Sequence, residues 1–179
     1  KYLLLVSYYI YIFIIKSNYD TVILLFYGDK DRLNVNIDNE KLFIKSEAKN
    51  CEFFCINITV AKIEVYLPEN YENEIEIKNN YGDIEIDKFM NARIELQEDC
   101  GDVKIEEAKE VVVKNSYGDI KIGTIEKADI EESAGDVTVE KVENITVKNN
   151  YGDIHFKEVS SYLDVSDDCG NIKIDQANI

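Results

Sequence analysis

The sequence predicts an all-β, single-domain β-solenoid with rungs of about 17–19 residues. The first observation is a Gly-Asp phrase, ending in Gly-Asn at its last copy, that recurs six times in steps of 17–19 residues, the signature of a repeat architecture. Each copy is followed by short strands in which apolar and polar residues alternate. The third observation is a chain with one proline and no tryptophan, which suits extensive β structure. The repeated glycines are Gly82, Gly101, Gly118, Gly135, Gly152 and Gly170.

Residues 1–27 are predicted as a separate apolar segment. The run from Tyr2 to Ile15 is apolar apart from Ser7, and it is shorter than the ~20 residues that span a bilayer as a helix. It fits the surviving end of a truncated membrane anchor, with Lys1 on the cytoplasmic side. It also fits a buried hairpin, in which the alternating run 9–14 pairs with the run 22–27, or an irregular segment. The sequence alone leaves these alternatives open.

Residues 28–179 are predicted as the solenoid domain, with irregular first coils and regular repeats from about residue 75. One unit cannot bury its apolar face alone, so units stacked about 4.8 Å apart would share backbone hydrogen bonds and one core. The general chirality of crossover connections predicts a right-handed solenoid. One unit is predicted to be one rung, against an alternative in which a coil takes about 35 residues. The residues expected to point inward along the first strands are Ile84, Ile86, Val103, Ile105, Ile120, Ile122, Val137, Val139, Ile154, Phe156, Ile172 and Ile174.

The Gly-Asp phrase is predicted to form the corner of each rung. Glycine there permits positive φ, and the aspartate can bond its own backbone in an Asx-turn. The residue before the glycine alternates between large and small: Tyr81, Cys100, Tyr117, Ala134, Tyr151 and Cys169. The small residues are expected to be buried filler. Tyr81, Tyr117 and Tyr151 either pack over the neighbouring rungs or form a surface aromatic column, and they are the candidate binding residues.

The chain resembles a known family at several of these motifs. The run Ile63-Glu64-Val65-Tyr66-Leu67-Pro68, an Ile-x-Ile strand and serial x-Gly-Asp-Ile-x-Ile units are similar to the bacterial "putative adhesin" β-strand-repeat family, a domain of unknown function. The resemblance covers roughly residues 33–179. It implies a β-helical domain that commonly follows a membrane segment, with some relatives linked to cell-envelope stress. The family has no established catalytic residues to carry over.

The charge and the scattered polar motifs exclude several function classes. A net charge of −16 repels nucleic acid and anionic membranes. There is no Gly-x-Ser-x-Gly motif and no phosphate loop. The single histidine, His155, alternates with apolar neighbours and should face solvent. No catalytic residue, metal or cofactor is predicted, although Ca²⁺ on the ladder of corner aspartates is an alternative to turn capping.

These observations predict a non-enzymatic bacterial surface module for adhesion or cell-envelope sensing. It would act through protein–protein or protein–glycan contacts and be extracytoplasmic and membrane-anchored. The alternatives are an intracellular scaffold or regulator and a carbohydrate-active β-helix enzyme. The terminal strand 172–174 presents an unpaired edge and predicts end-to-end self-association.

Overall fold

A computed structural model describes residues 2–6, 10–18, 21–28, 33–38, 41–46 and 61–179. These residues form thirteen strands and no helix, and none of them lies in a helix able to cross a membrane. The strands are β1 Tyr2–Val6, β2 Ile10–Ser17, β3 Ile23–Tyr27, β4 Leu33–Asp38, β5 Lys41–Ser46, β6 Ala61–Pro68, β7 Ile75–Tyr81, β8 Ile84–Cys100, β9 Val103–Tyr117, β10 Ile120–Ala134, β11 Val137–Tyr151, β12 Ile154–Cys169 and β13 Ile172–Ala177.

Each repeat unit is one rung of a parallel β-solenoid. Ile120 at the start of β10 pairs with Val103 of the preceding unit and Val137 of the following unit. The alternative coil of about 35 residues is therefore wrong. Within β9 the inward alternation is interrupted at Glu106-Glu107 and Lys109-Glu110, where two adjacent residues are not buried. These interruptions divide the rung into short inward-facing segments around one core.

The first rungs do not follow chain order. β1 pairs in parallel with both β5 and β7, and β2 pairs in parallel with both β6 and β8. The rung made by β1 and β2 is thus inserted between the rung of β5 and β6 and the rung that begins with β7. Leu5 lies in register between Ile44 and Ile77, and Ile12 lies between Ile63 and Ile84. All five of these isoleucines and Leu5 are buried.

The described part of residues 1–27 forms strands β1, β2 and β3, and the expected hairpin pairing is not found. β2 does not pair with β3; instead, β3 runs antiparallel to β6 and β4 runs antiparallel to β5. The apolarity of the first strands is explained by burial of Leu3, Leu5, Ile12 and Ile14 in the solenoid core. β3 and β4 cover the outer edge of the first rung, as caps do in repeat proteins.

The predicted core is confirmed except at the last rung. From Ile84 to Phe156 the expected inward residues are buried, whereas Ile172 and Ile174 are 44% and 39% exposed. The reason is that, among the described strands, β13 pairs with β12 alone, and none of the others covers its inward face. Cys169 is exposed for the same reason, while Cys100 is half-buried.

Candidate functional site

The Gly-Asp corners of successive rungs stack directly on one another. The amide of Gly101 donates to the carbonyl of Tyr117 at 2.9 Å, and the amide of Gly118 donates to that of Ala134 at 3.2 Å. A Cβ on Gly135 would lie only 1.9 Å from the carbonyl oxygen of Gly118. Positive φ, the expected reason for glycine, occurs at Gly82, Gly118 and Gly152. At the intervening corners the requirement is the close approach of the neighbouring backbone.

The corner aspartates form a ladder that ties each rung to the next. Oδ1 of Asp83 accepts the backbone N–H of Asp102 at 3.0 Å, and Oδ1 of Asp119 accepts that of Asp136 at 3.1 Å. The ladder ends where Oδ1 of Asp153 accepts both the backbone and side-chain N–H groups of Asn171. The expected Asx-turn is therefore replaced by a bond to the following rung, because parallel stacking brings the next corner amide onto each carboxylate.

The large and small residues before the glycines lie in one column along the corner. Cys100 is in register with Tyr81 on one side and Tyr117 on the other, and Ala134 is in register with Tyr151. Tyr81 is 37% exposed, while Tyr117 and Tyr151 are each 62% exposed. Because tyrosines occur on every second rung, their backbones are about 9.6 Å apart. The structure thus presents the three candidate binding residues as a surface aromatic column.

A shallow polar depression of about 350 Å³ lies along the strand residues that precede this column, and none of the three tyrosines lines it. Ser116 and Asn150, two of its lining residues, directly precede Tyr117 and Tyr151 in the chain. Its outer walls carry charges of both signs, and Lys114 and Glu131 form an ion pair across neighbouring rungs at 2.9 Å. The tyrosine corner, defined here as the three tyrosines and this depression, combines aromatic rings with hydroxyl, amide and charged groups.

A buried polar residue lies three positions before each glycine. The series reads Asn79, Glu98, Asn115, Glu132, Asn149 and Asp167, and its first five members are buried. Asparagine occurs in the rungs that carry a tyrosine and positive φ, and its amide donates to the corner carbonyl, as from Asn115 to Gly118 at 3.2 Å. Glutamate occurs in the intervening rungs and accepts backbone N–H groups instead, as Glu132 does from Ala134 at 3.0 Å. The large/small alternation therefore accompanies an alternation between two kinds of corner.

This column of buried polar residues was not predicted from the sequence, although the pattern that indicates it is present there. The six residues recur at a fixed distance from the glycines, and period-2 alternation places them on the inward face. A polar residue repeated at an inward position indicates a buried hydrogen-bond ladder.

The remaining chemistry-bearing residues lie apart from the corner. His155 is on the surface, as expected, with Nε2 2.9 Å from Oδ2 of Asp175. Arg93 forms ion pairs with Glu74 and Glu95. Across the described ranges, no group of three or more His, Cys, Asp or Glu residues is arranged to hold a metal ion. Cys51 and Cys55 lie outside the described residues.

Comparisons with known proteins find two similar solved structures and one matching family. A putative adhesin from Bacteroides fragilis has a crystal structure that aligns with a TM-score of 0.60 and 19% identity, covering 96% of this chain and 91% of the other. A putative cell adhesion protein from Clostridium sporogenes aligns with a TM-score of 0.49 and 14% identity, covering 100% of this chain and 89% of the other. No curated protein matches the sequence significantly. The Toastrack DUF4097 family matches residues 9–178, and the chain therefore belongs to this family.

Proposed function

We propose that the chain is a non-enzymatic adhesion module of the bacterial cell surface, which binds its partner through the tyrosine corner. The observation that carries the proposal is the pair Tyr117 and Tyr151, each 62% exposed and two rungs apart, at the ends of strands that also line a polar depression. Large tyrosine rings exposed in a regular row offer binding area at low entropic cost.

The ligand class that this corner fits best is an extended glycan of neutral or weakly charged sugars. Aromatic rings present apolar faces to the C–H faces of sugars, while the serine, asparagine and charged side chains of the depression can bond sugar hydroxyls. The tyrosine spacing is comparable to a disaccharide step in an extended β-linked chain. A net charge of −16 disfavours strongly acidic polymers.

A surface location is supported by similarity rather than by any targeting feature. The structurally similar Bacteroides fragilis protein is described as a putative adhesin, and a rigid stack of rungs holds a row of binding residues at fixed spacing. These two points favour adhesion over the alternative of an intracellular scaffold.

The absence of catalytic activity is part of the proposal. Arg93, the arginine among the described residues, is held by Glu74 and Glu95 and is not free to contact an acidic sugar as a lyase-type β-helix would need. Glu98 and Glu132 are among the residues that line the depression, but they are buried, with exposures of only 1% and 3%.

A binding assay with a matched control tests the proposal. The purified chain is incubated with an array of neutral, amino-sugar and acidic glycans and with intact peptidoglycan sacculi. The double variant Tyr117→Ala/Tyr151→Ala should weaken binding at least tenfold, a loss of about 1.4 kcal/mol. Tyr162→Ala is the control, because Tyr162 is 52% exposed but lies outside the corner.

Two outcomes contradict the proposal. Equal losses in the control and the double variant would show that the corner is not the site. Binding to a surface protein, abolished by the double variant while no glycan binds, would retain the corner but replace the glycan with a protein partner.

A further inference from the structure

Two pairs of buried oxygen acceptors lie in register inside the corner. Glu98 is in register with Asn115, and Glu132 is in register with Asn149. Four oxygens of these residues, Oε2 of both glutamates and Oδ1 of both asparagines, are buried without a hydrogen-bond partner. Unpaired buried acceptors are rare in folded proteins, because each loses its hydrogen bonds to water without gaining a partner.

The orientations of the asparagine amides are fixed by their donors. Nδ2 of Asn115 faces the corner carbonyls of Gly101 and Gly118, and Nδ2 of Asn149 faces that of Gly152 at 3.2 Å. The nearby amide of Asn115 lowers the pKa of Glu132, and the amide of Asn79 lowers that of Glu98, each against the larger effect of burial. The side-chain N–H groups of Asn115 and Asn149 therefore point to corner carbonyls, and their oxygens are left without a partner.

The other carboxylate oxygens are already used. Oε1 of Glu98 accepts the N–H of Cys100 at 3.1 Å, and Oε1 of Glu132 accepts the N–H groups of Ser133 and Ala134, each at 3.0 Å. Each glutamate thus keeps one buried oxygen without a partner, in register with an asparagine of the next rung whose oxygen also lacks a partner.

We propose that each pair is a binding site for one proton, carried by the glutamate as a neutral carboxyl group whose O–H is donated to Oδ1 of the asparagine in the next rung. One hydrogen then satisfies two buried oxygens at once. The chain of hydrogen bonds runs in one direction along the corner, from Asn79 through Glu98, Asn115 and Glu132 to Asn149.

The surroundings favour the neutral carboxyl. Burial raises the pKa of Glu98 to about 7, against the opposing bonds from Asn79 and from the backbone of Cys100 and Asp99, while the nearby Asp99 carboxylate raises it further. Burial likewise raises the pKa of Glu132, and Asp119 adds to the rise.

The groups that face the two glutamates from adjoining strands are neutral amides. They are Asn79 from β7, Asn115 from β9 and Asn149 from β11. The charged groups nearby line the depression outside the column: Asp99, Lys114, Glu131 and Lys148. Of the two lysines, Lys114 is paired with Glu131 at 2.9 Å.

The proposal predicts the direction in which the stability of the folded chain changes with pH. A raised pKa means that the folded chain holds a proton that the unfolded chain releases above the ordinary value of 4.5. The stabilising contribution is therefore full below that value and is lost as pH rises through about 7. Within this window the unfolding equilibrium constant should rise about tenfold per pH unit for each glutamate that is protonated only in the folded state.

The test compares the wild type with Glu98→Gln/Glu132→Gln, in which each amide mimics the neutral carboxyl. Urea unfolding is measured between pH 4.5 and 8. The double variant should lose most of the pH dependence, and Glu126→Gln, an exposed change on the same strand as Glu132, should keep it. The infrared band of protonated carboxyl groups at pH 6 should be present in the wild type and reduced in the double variant.

If the double variant does not fold, the proposal can be tested by a measurement on the wild type alone. ¹³C spectra of labelled glutamate side chains should show two groups titrating well above the rest. The proposal is overturned if all glutamates titrate normally, or if the double variant keeps the wild-type pH dependence. It is also overturned if added Ca²⁺ or Mg²⁺ raises the Tm of the wild type but not of the variant, which would place a cation between the oxygens.

Discussion

The backbone N–H of Asp119 donates to Oδ1 of Asp102, one rung earlier, at 2.9 Å. The same bond recurs at each Gly-Asp corner. The corner aspartate, which the sequence predicts to cap a local turn, therefore connects one rung to the next. Because this hydrogen bond is repeated along the ladder, each carboxylate helps to fix the position of the corner that follows it.

Replacing Asp119 by alanine should therefore weaken the contact with the next rung. We expect a loss of about 1 kcal/mol in the free energy of unfolding, the usual net value of one hydrogen bond. Asp119→Asn should lose less, since the amide oxygen can still accept the N–H of Asp136. Urea unfolding measures both, and equal losses would show that the charge rather than the acceptor is what matters.

The inserted rung of β1 and β2 predicts that the first residues contribute to stability. Ile12→Ala should cost about 2–5 kcal/mol, because Ile12 is buried between Ile63 and Ile84. Tyr11→Ala is the control, since Tyr11 is its exposed neighbour on the same strand and should cost much less.

Urea unfolding gives the size of this loss, and hydrogen exchange shows where it falls. Faster exchange in β6 and β8 is expected for Ile12→Ala. Small and similar losses for the two variants would mean that this rung does not contribute to the folded core in solution.

The open rung at β13 predicts self-association of the 179-residue chain. Ile172 and Ile174 are partly exposed on a strand that pairs on one side only, and such an edge is a template for a second strand. Sedimentation should show species larger than the monomer that increase with concentration. Ile172→Lys/Ile174→Lys should shift the chain to monomer, because lysine blocks edge pairing. A strictly monomeric wild type at high concentration contradicts this prediction.

Much of the candidate site was predictable from the sequence. The corner position of Tyr81, Tyr117 and Tyr151 follows from their place before the repeated glycines. Their exposure does not, because a tyrosine at a corner can pack over its neighbour or turn outward. The burial of the Glu98 and Glu132 carboxyls was not predicted, because only apolar residues were expected at inward positions.

The sequence by itself determined the repeat, the rung of 17–19 residues and the inward positions from Ile84 to Phe156. These are local properties, since strand alternation and corner glycines fix which face of each segment is buried. Only the tertiary structure decided that β1 and β2 lie between later rungs. An alternating apolar strand can stack equally well on many partners, so register among the first strands depends on which neighbours the folded chain brings together. The exposure of Ile172 and Ile174 also depends on stacking. Alternation predicts that both side chains face inward, but they are buried only if a neighbouring rung covers them.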